Sequence, residues 1–246
     1  MKGTTPPGAS SEQEAAAYVR GMFGRVARRY DLLNHLLSFQ TDRYWRFRTT
    51  LEVEPFLRRR GARVLDLCCG TGDLTLALEK RASGDALIAG GDFCRPMLAE
   101  AQRKQRRRAA HIEWIECDGL RLPFPDNSLD LATLAFGFRN FANYRAALAE
   151  LRRVLKPGGM LAILEFSTPP NPLIRALYRF YSQTLLPALG GWISGDRGAY
   201  TYLPDSVRKF PGAEMLAAEM EAAGFTRVRF RRMTFGIVAL HTGLSG

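Results

Sequence analysis

The segment Val64-Leu65-Asp66-Leu67-Cys68-Cys69-Gly70-Thr71-Gly72-Asp73-Leu74 runs from a short apolar strand through a glycine turn into a helix. Glycines at such a turn let the backbone approach a ligand closely, which is how α/β sheets build nucleotide pockets. The turn is too short to cradle a pyrophosphate, and the Lys-Ser/Thr pair of a P-loop does not follow it. A second apolar run, Ala86-Leu87-Ile88-Ala89-Gly90-Gly91, ends in Asp92, placed to accept both hydroxyls of a ribose. A glycine turn with one acid on the next strand suits a ribose-bearing cofactor that lacks a diphosphate. S-adenosylmethionine (SAM) fits that description best, with Gly70, Thr71 and Gly72 at its methionine end and Asp92 on its ribose.

The rest of the chain supplies the matching frame. Apolar runs predict strands over Arg63–Leu67, Ala86–Asp92, His111–Glu116, Leu129–Leu134 and Gly159–Phe166. Helical spacing falls between them at Asp73–Arg81, Pro96–Arg108 and Tyr144–Leu155, with Lys156-Pro157-Gly158-Gly159 as a stop and turn. This alternation predicts a mostly parallel sheet covered by helices on both faces. Two helices, Glu12–Arg29 behind Ser10 or Ser11 as cap and Arg43–Leu57, form an N-terminal cap ahead of the sheet. An apolar, aromatic stretch at Asn171–Ile193 interrupts the pattern. A helix at Gly212–Ala223 and strands Arg227–Arg232 and Phe235–His241, joined by a tight turn near Met233-Thr234, close it. The expected organisation is a flexible tail over 1–11 and one domain over 12–246. Within that domain a helical cap spans 12–60, a SAM-binding core spans 61–246, and a helical insertion lies near 171–210.

Composition narrows the class further. At 246 residues the chain can bury one substantial core. No run approaches the roughly 18 apolar residues that would cross a bilayer, and Met1–Ser11 lacks the apolar centre of a signal segment. A cytoplasmic location is therefore expected. Cys68, Cys69, Cys94 and Cys117 form no Cys-x-x-Cys pair, and His35, His111 and His241 have no metal-ligand spacing, so no metal is expected. The net charge of +11 suits either nucleic acid or an anionic membrane. The run Arg103-Lys104-Gln105-Arg106-Arg107-Arg108 explains itself locally, because cations at a helix end favour the macrodipole.

Asp118-Gly119 closes the third strand as a neighbour for adenine, and Ala135-Phe136-Gly137 ends the fourth beside the cofactor. The segment from Arg153 to Ser167 (RVLKPGGMLAILEFS), together with Tyr30–Ser38 (YDLLNHLLS) and Trp45 downstream, resembles the two signatures of the UbiE/MenG/COQ5 family of quinone-biosynthesis C-methyltransferases. Asp118 through Phe124, Phe136-Gly137-Phe138-Arg139-Asn140 and the ending Gly236-Ile237-Val238-Ala239-Leu240-His241 are similar to it as well. The resemblance spans roughly Phe23 to His241.

That resemblance implies a class I SAM-dependent methyltransferase fold, Rossmann-like, with a seven-stranded mostly parallel sheet and an antiparallel closing strand. It implies C-methylation of a polyprenylated quinol, with demethylmenaquinol as the leading substrate and the benzoquinol of ubiquinone synthesis as the alternative. Thr71, Asp92, Asp118 and Gly119 carry over as SAM contacts. Arg139 and Asn140, with Tyr30 from the cap, are the expected catalytic residues. The chain departs from the family at Cys68, where a glycine is usual, at Ala135, where some members carry serine, and at Asp42, which replaces a histidine. The expected partners are the prenylated quinol, a membrane surface touched peripherally at its inner face and, as an open option, a second copy of the chain. The apolar stretch Leu173, Ile174, Leu177, Tyr178, Phe180, Tyr181, Leu185, Leu186, Leu189, Trp192 and Ile193 would serve the prenyl tail or the membrane. Nucleic acid is not expected. An RNA methyltransferase, or a SAM-binding module that transfers nothing, would nevertheless keep the same turn.

Overall fold

Seven strands form one sheet in the order β3-β2-β1-β4-β5-β7-β6. A computed structural model describes residues 3, 4, 6, 8–106, 111–185 and 197–246. The strands are β1 (Arg63–Leu67), β2 (Leu87–Asp92), β3 (Ile112–Glu116), β4 (Leu129–Ala135), β5 (Leu155–Phe166), β6 (Phe225–Met233) and β7 (Val238–Ser245). Neighbours from β3 to β5 pair in parallel, whereas β7 runs antiparallel to both β5 and β6. Strand order reverses between β1 and β4, and ligands of open α/β sheets bind in the crevice such a reversal leaves.

Period-two alternation divides the core into two layers. Leu65 and Leu67 of β1, Leu134 of β4 and Leu161 and Ile163 of β5 face α6 (Tyr144–Val154) and α9 (Ala213–Ala222), meeting Leu148, Leu151, Leu216 and Met220. Val64, Leu131, Ala162 and Leu164 face the opposite side. There they bury Trp45, Val53 and Leu57 of α3 (Thr41–Leu57) and Leu78 of α4 (Asp73–Glu79). Each fully buried leucine contributes about 1.5–3 kcal/mol.

The expected strands and helices are present, with shifted ends. β5 begins at Leu155 and not Gly159, because Leu155 pairs Leu129 while Met160 pairs Leu131. Lys156–Gly159 therefore bulges out of a continuing strand, with Gly158 at φ +73°. β7 begins three residues later than expected, since Thr234–Gly236 forms a short 3-10 turn. The helix α5 covers Arg95–Arg106; the expected Arg107 and Arg108 fall outside the described residues.

The cap contains a helix the sequence reading did not separate. After α1 (Glu12–Val26), a 3-10 turn at Ala27–Arg29 leads directly into α2 (Tyr30–Leu37). No glycine or proline marks that joint. Ser11 caps α1 by accepting from the Glu14 amide at 3.2 Å, and Glu14 in return accepts from the Ser10 amide at 2.7 Å. Gly3 and Thr4, within the segment expected to fray, donate their amides to Ala142 (3.1 Å) and Phe141 (2.7 Å). The insertion opens with α7 (Pro172–Phe180) and a π turn at Tyr181–Leu185, and α8 (Arg197–Lys209) completes it. Leu186, Leu189, Trp192 and Ile193 lie outside the described residues.

Candidate active site

The glycine turn sits at the carboxyl end of β1, and three of its residues have left-handed backbones: Cys68 (φ +55°), Gly70 (+56°) and Gly72 (+83°). Cys68 thus occupies a conformation that favours glycine, at about 1–2 kcal/mol. A Cβ on Gly72 would fall 2.5 Å from the Trp114 ring, so Gly72 serves packing. Gly70 is different: its nearest neighbour would be a Tyr30 ring carbon at 3.9 Å, leaving space for a ligand.

Asp92, at the end of β2, reaches across to this turn. Its Oδ2 accepts from the Gly70 amide at 2.8 Å and its Oδ1 from the Cys94 amide at 2.9 Å. Burial pushes the carboxyl up to about 6, against the lowering effect of these amides. A buried carboxylate met by backbone amides alone, beside an uncovered glycine, fits the ribose of SAM. Asp66 is also pushed up to about 6 by burial, but Thr75 (2.6 Å) and Thr133 (2.8 Å) donate to its two oxygens within the core. Asp118, one strand further out, is exposed, and its carboxylate accepts from the Leu120 amide at 2.9 Å. Gly119 makes way for Phe141, whose ring would lie 2.6 Å from a Cβ there.

Thr71 is held from the cap. Its hydroxyl donates to Asp31 of α2 and accepts from Lys104 of α5 at 3.0 Å. Lys104 also pairs with Asp31 (2.5 Å) and Asp73 (2.6 Å). Asp73 is half-buried, and although desolvation works against its charge, Lys104 and Arg46 keep its carboxyl below the usual range. The recess over the turn holds about 30 Å³ and is lined by Tyr30, Arg46, Asp66, Cys68, Cys69, Gly70, Thr71, Asp73, Leu74 and Ala135.

Beside this recess lies a far larger cavity of about 410 Å³. Cap residues such as Val26, Leu37 and Trp45 wall one side, and Ile174, Leu177, Tyr178 and Tyr181 of the insertion wall the other. Phe136 and Phe166, with ring centres 4.9 Å apart, form its floor beside Trp45. Arg139 lines this cavity, but its guanidinium is engaged by Glu165 at 3.0 Å, by the Phe136 carbonyl and by Ser206 at 3.3 Å. Burial works against its charge, and Glu165 more than restores it. The Asn140 side chain accepts from the Tyr202 hydroxyl at 3.1 Å and is not part of the cavity wall. Tyr30 lines both spaces. Burial raises its hydroxyl above the ordinary value, so it stays protonated.

Two residues line the large cavity with Tyr30: Asp42, noted in the sequence only as a departure from the family, and Arg46, which the sequence reading did not single out. Asp42 accepts from His35 Nδ1 at 2.7 Å and from Ser38 Oγ at 2.8 Å. Arg46, one turn further along α3, donates to the same carboxylate. The i to i+4 spacing of Asp42 and Arg46 was legible, but the seven-residue reach to His35 depends on the α2–α3 turn, where Phe39 and Gln40 have positive φ.

A seven-stranded sheet with antiparallel β7, a glycine turn after β1 and an acid ending β2 together define a class I SAM-dependent methyltransferase. A solved SAM-dependent methyltransferase from Aquifex aeolicus shares this fold, with a TM-score of 0.60 at 20% identity over 81% of this chain and 89% of that one. Residues 10–245 match the ubiE/COQ5 methyltransferase family, and the chain belongs to it. It is 53% identical to a demethylmenaquinone methyltransferase from Thermus thermophilus, covering 90% of this chain and 99% of the relative. It is 46% identical to a demethylmenaquinone methyltransferase from Deinococcus radiodurans, covering 99% of each.

Proposed function

We propose that this protein methylates a ring carbon of a polyprenylated naphthoquinol, converting demethylmenaquinol to menaquinol. One observation carries the reading: a mostly apolar cavity of about 410 Å³, lined by cap and insertion residues, adjoins the cofactor turn. An aromatic bicycle with an isoprenoid tail has the shape and polarity of that space. The two relatives bearing the demethylmenaquinone methyltransferase name support the naphthoquinol over the benzoquinol. Gly70, Thr71, Asp92 and, at the adenine end, Asp118 would hold SAM, which supplies an electrophilic methyl group on sulfur. The chain's own task is to hold the ring beside that methyl, exclude water with Phe136, Phe166 and Trp45, and favour the ionised ring hydroxyl. Tyr30 donates from the cap, while Arg139 and its partner Glu165 keep the loop after β4 in place with Asn140 behind it.

The mouth of the cavity supports peripheral contact with an anionic membrane. Phe39 and Phe235 stand 76% and 75% exposed on left-handed backbones, and Leu173, Leu177 and Phe180 project from α7. No Asp or Glu occurs in 32–41, 167–183 or 233–245, while α7 carries Arg175 and Arg179. Apolar tips among cations suit an acidic lipid surface, whereas two copies facing each other here would oppose like charges. No described helix is long and apolar enough to cross a membrane.

A bulky residue at the mouth tests the cavity. Leu177→Trp should raise KM for a long-tailed quinol by about tenfold while leaving a tail-less ring little affected. Equal effects on both substrates would contradict the tail path.

A further inference from the structure

The large cavity and the recess at the glycine turn share two lining residues among those described, Tyr30 and Arg46. If the cavity holds the quinol, as proposed above, the reacting carbon sits at this junction, because the methyl donor lies on the turn side and the tail on the apolar side. Negative charge develops there, on the ring oxygen beside that carbon. A fixed cation with spare donors at that point is what lowers the barrier.

Arg139 does not stand at this junction. It lines the apolar cavity alone, and its Nη1 and Nε are taken by Glu165, the Phe136 carbonyl and Ser206. Arg46 spends Nη1 on Asp42, with Asp73 at 4.0 Å. Among the described residues, its Nε and Nη2 have no protein hydrogen-bond partner. Its guanidinium lies 5.8 Å from the centre of the Phe136 ring. Asp42 is itself fixed by His35 and Ser38. The fork is therefore oriented before substrate arrives, and little side-chain freedom is left to lose.

We infer that Arg46 is a catalytic residue that holds the ring oxygen of the quinol as its anion, with Asp42, His35 and Phe136 positioning it. The hydroxyl proton passes to water and its electron pair stays on the oxygen against Nε and Nη2 of Arg46. The adjacent ring carbon gains the methyl group while the carbon–sulfur pair remains on sulfur. That carbon then gives its proton to water and the oxygen takes one back, a net release of one proton. Asp42, Asp73, Tyr30 and His35 are the titratable groups nearest this cation.

The test uses 1-naphthol, a one-hydroxyl analogue, bound to the full chain without SAM and titrated by its naphtholate absorption. Bound to the wild type, its pKa should fall by about one unit or more. In Arg46→Gln that shift should vanish, and kcat on the quinol should drop about 10²–10³-fold with KM changed far less. Arg46→Lys, which keeps the charge, should retain most of the shift; thermal melting checks that both variants fold. A wild-type naphthol titration in Arg46→Gln would overturn the role of Arg46 while leaving the cavity reading intact. Failure of 1-naphthol to bind the wild type would instead remove the cavity reading, and this inference with it.

Discussion

Arg139, after β4, and Glu165, near the end of β5, form an ion pair at 3.0 Å with side chains 4% and 0% exposed. Breaking one partner leaves the other charge buried. Glu165→Ala should therefore cost about 3–5 kcal/mol of stability, read by denaturant unfolding. Glu165→Ala combined with Arg139→Met should recover part of that loss. A double variant no more stable than Glu165→Ala would contradict the pairing as the reason for the cost.

With Asp92 on the ribose, as proposed, SAM binding should depend on pH. Its folded carboxyl, raised by burial to about 6, is ionised above that pH and protonated below it. A ribose needs the ionised acceptor, so SAM affinity should weaken as pH falls through about 6 toward 5 and level off above 7. Calorimetric titration from pH 5 to 8 measures this. Asp92→Asn should bind weakly at every pH and show no such slope, and a wild-type slope in that variant would assign the titration elsewhere.

The ion pairs of Asp31 and Lys104 lie across Thr71, the residue expected to meet the methionine end of SAM. Asp31→Ala should free the Thr71 hydroxyl and open the turn. Stopped-flow mixing should then show SAM associating severalfold faster than with the wild type. Slower association would mean that Asp31 assists binding and does not obstruct it.

At the cavity mouth, Phe39→Asp with Phe235→Asp should reduce binding to vesicles containing phosphatidylglycerol. Each buried phenylalanine is worth about 1.5–3 kcal/mol, so the partition should fall more than tenfold in a flotation assay. Wild-type partitioning of the double variant would place the membrane contact on another face.

Much of this site was readable in the chain because its motifs are local. The run Val64–Leu74 encodes strand, turn and helix within one stretch, and Asp92 follows at the next strand end. The departure at Cys68 keeps the turn's shape at a cost, since the cysteine holds the φ of +55° that favours glycine. Long-range partnerships were not readable. Nothing in Phe138-Arg139-Asn140 says that Arg139 meets Glu165, 26 positions later, or that Asn140 turns to Tyr202. The shift of β7 was missed because Thr234 and Phe235 take left-handed backbones that residues of their type rarely adopt. Arg46 was passed over because its importance comes from where two cavities meet, a property of packing between α3, α2 and the sheet.

The most direct test of the central claim is methyl transfer itself. The purified protein is incubated with SAM carrying a labelled methyl group and demethylmenaquinol in detergent micelles, with bulk RNA as a parallel acceptor. Label is expected on the naphthoquinol ring carbon, lost in Asp92→Ala, and none on RNA. Label on RNA with none on the quinol would contradict it.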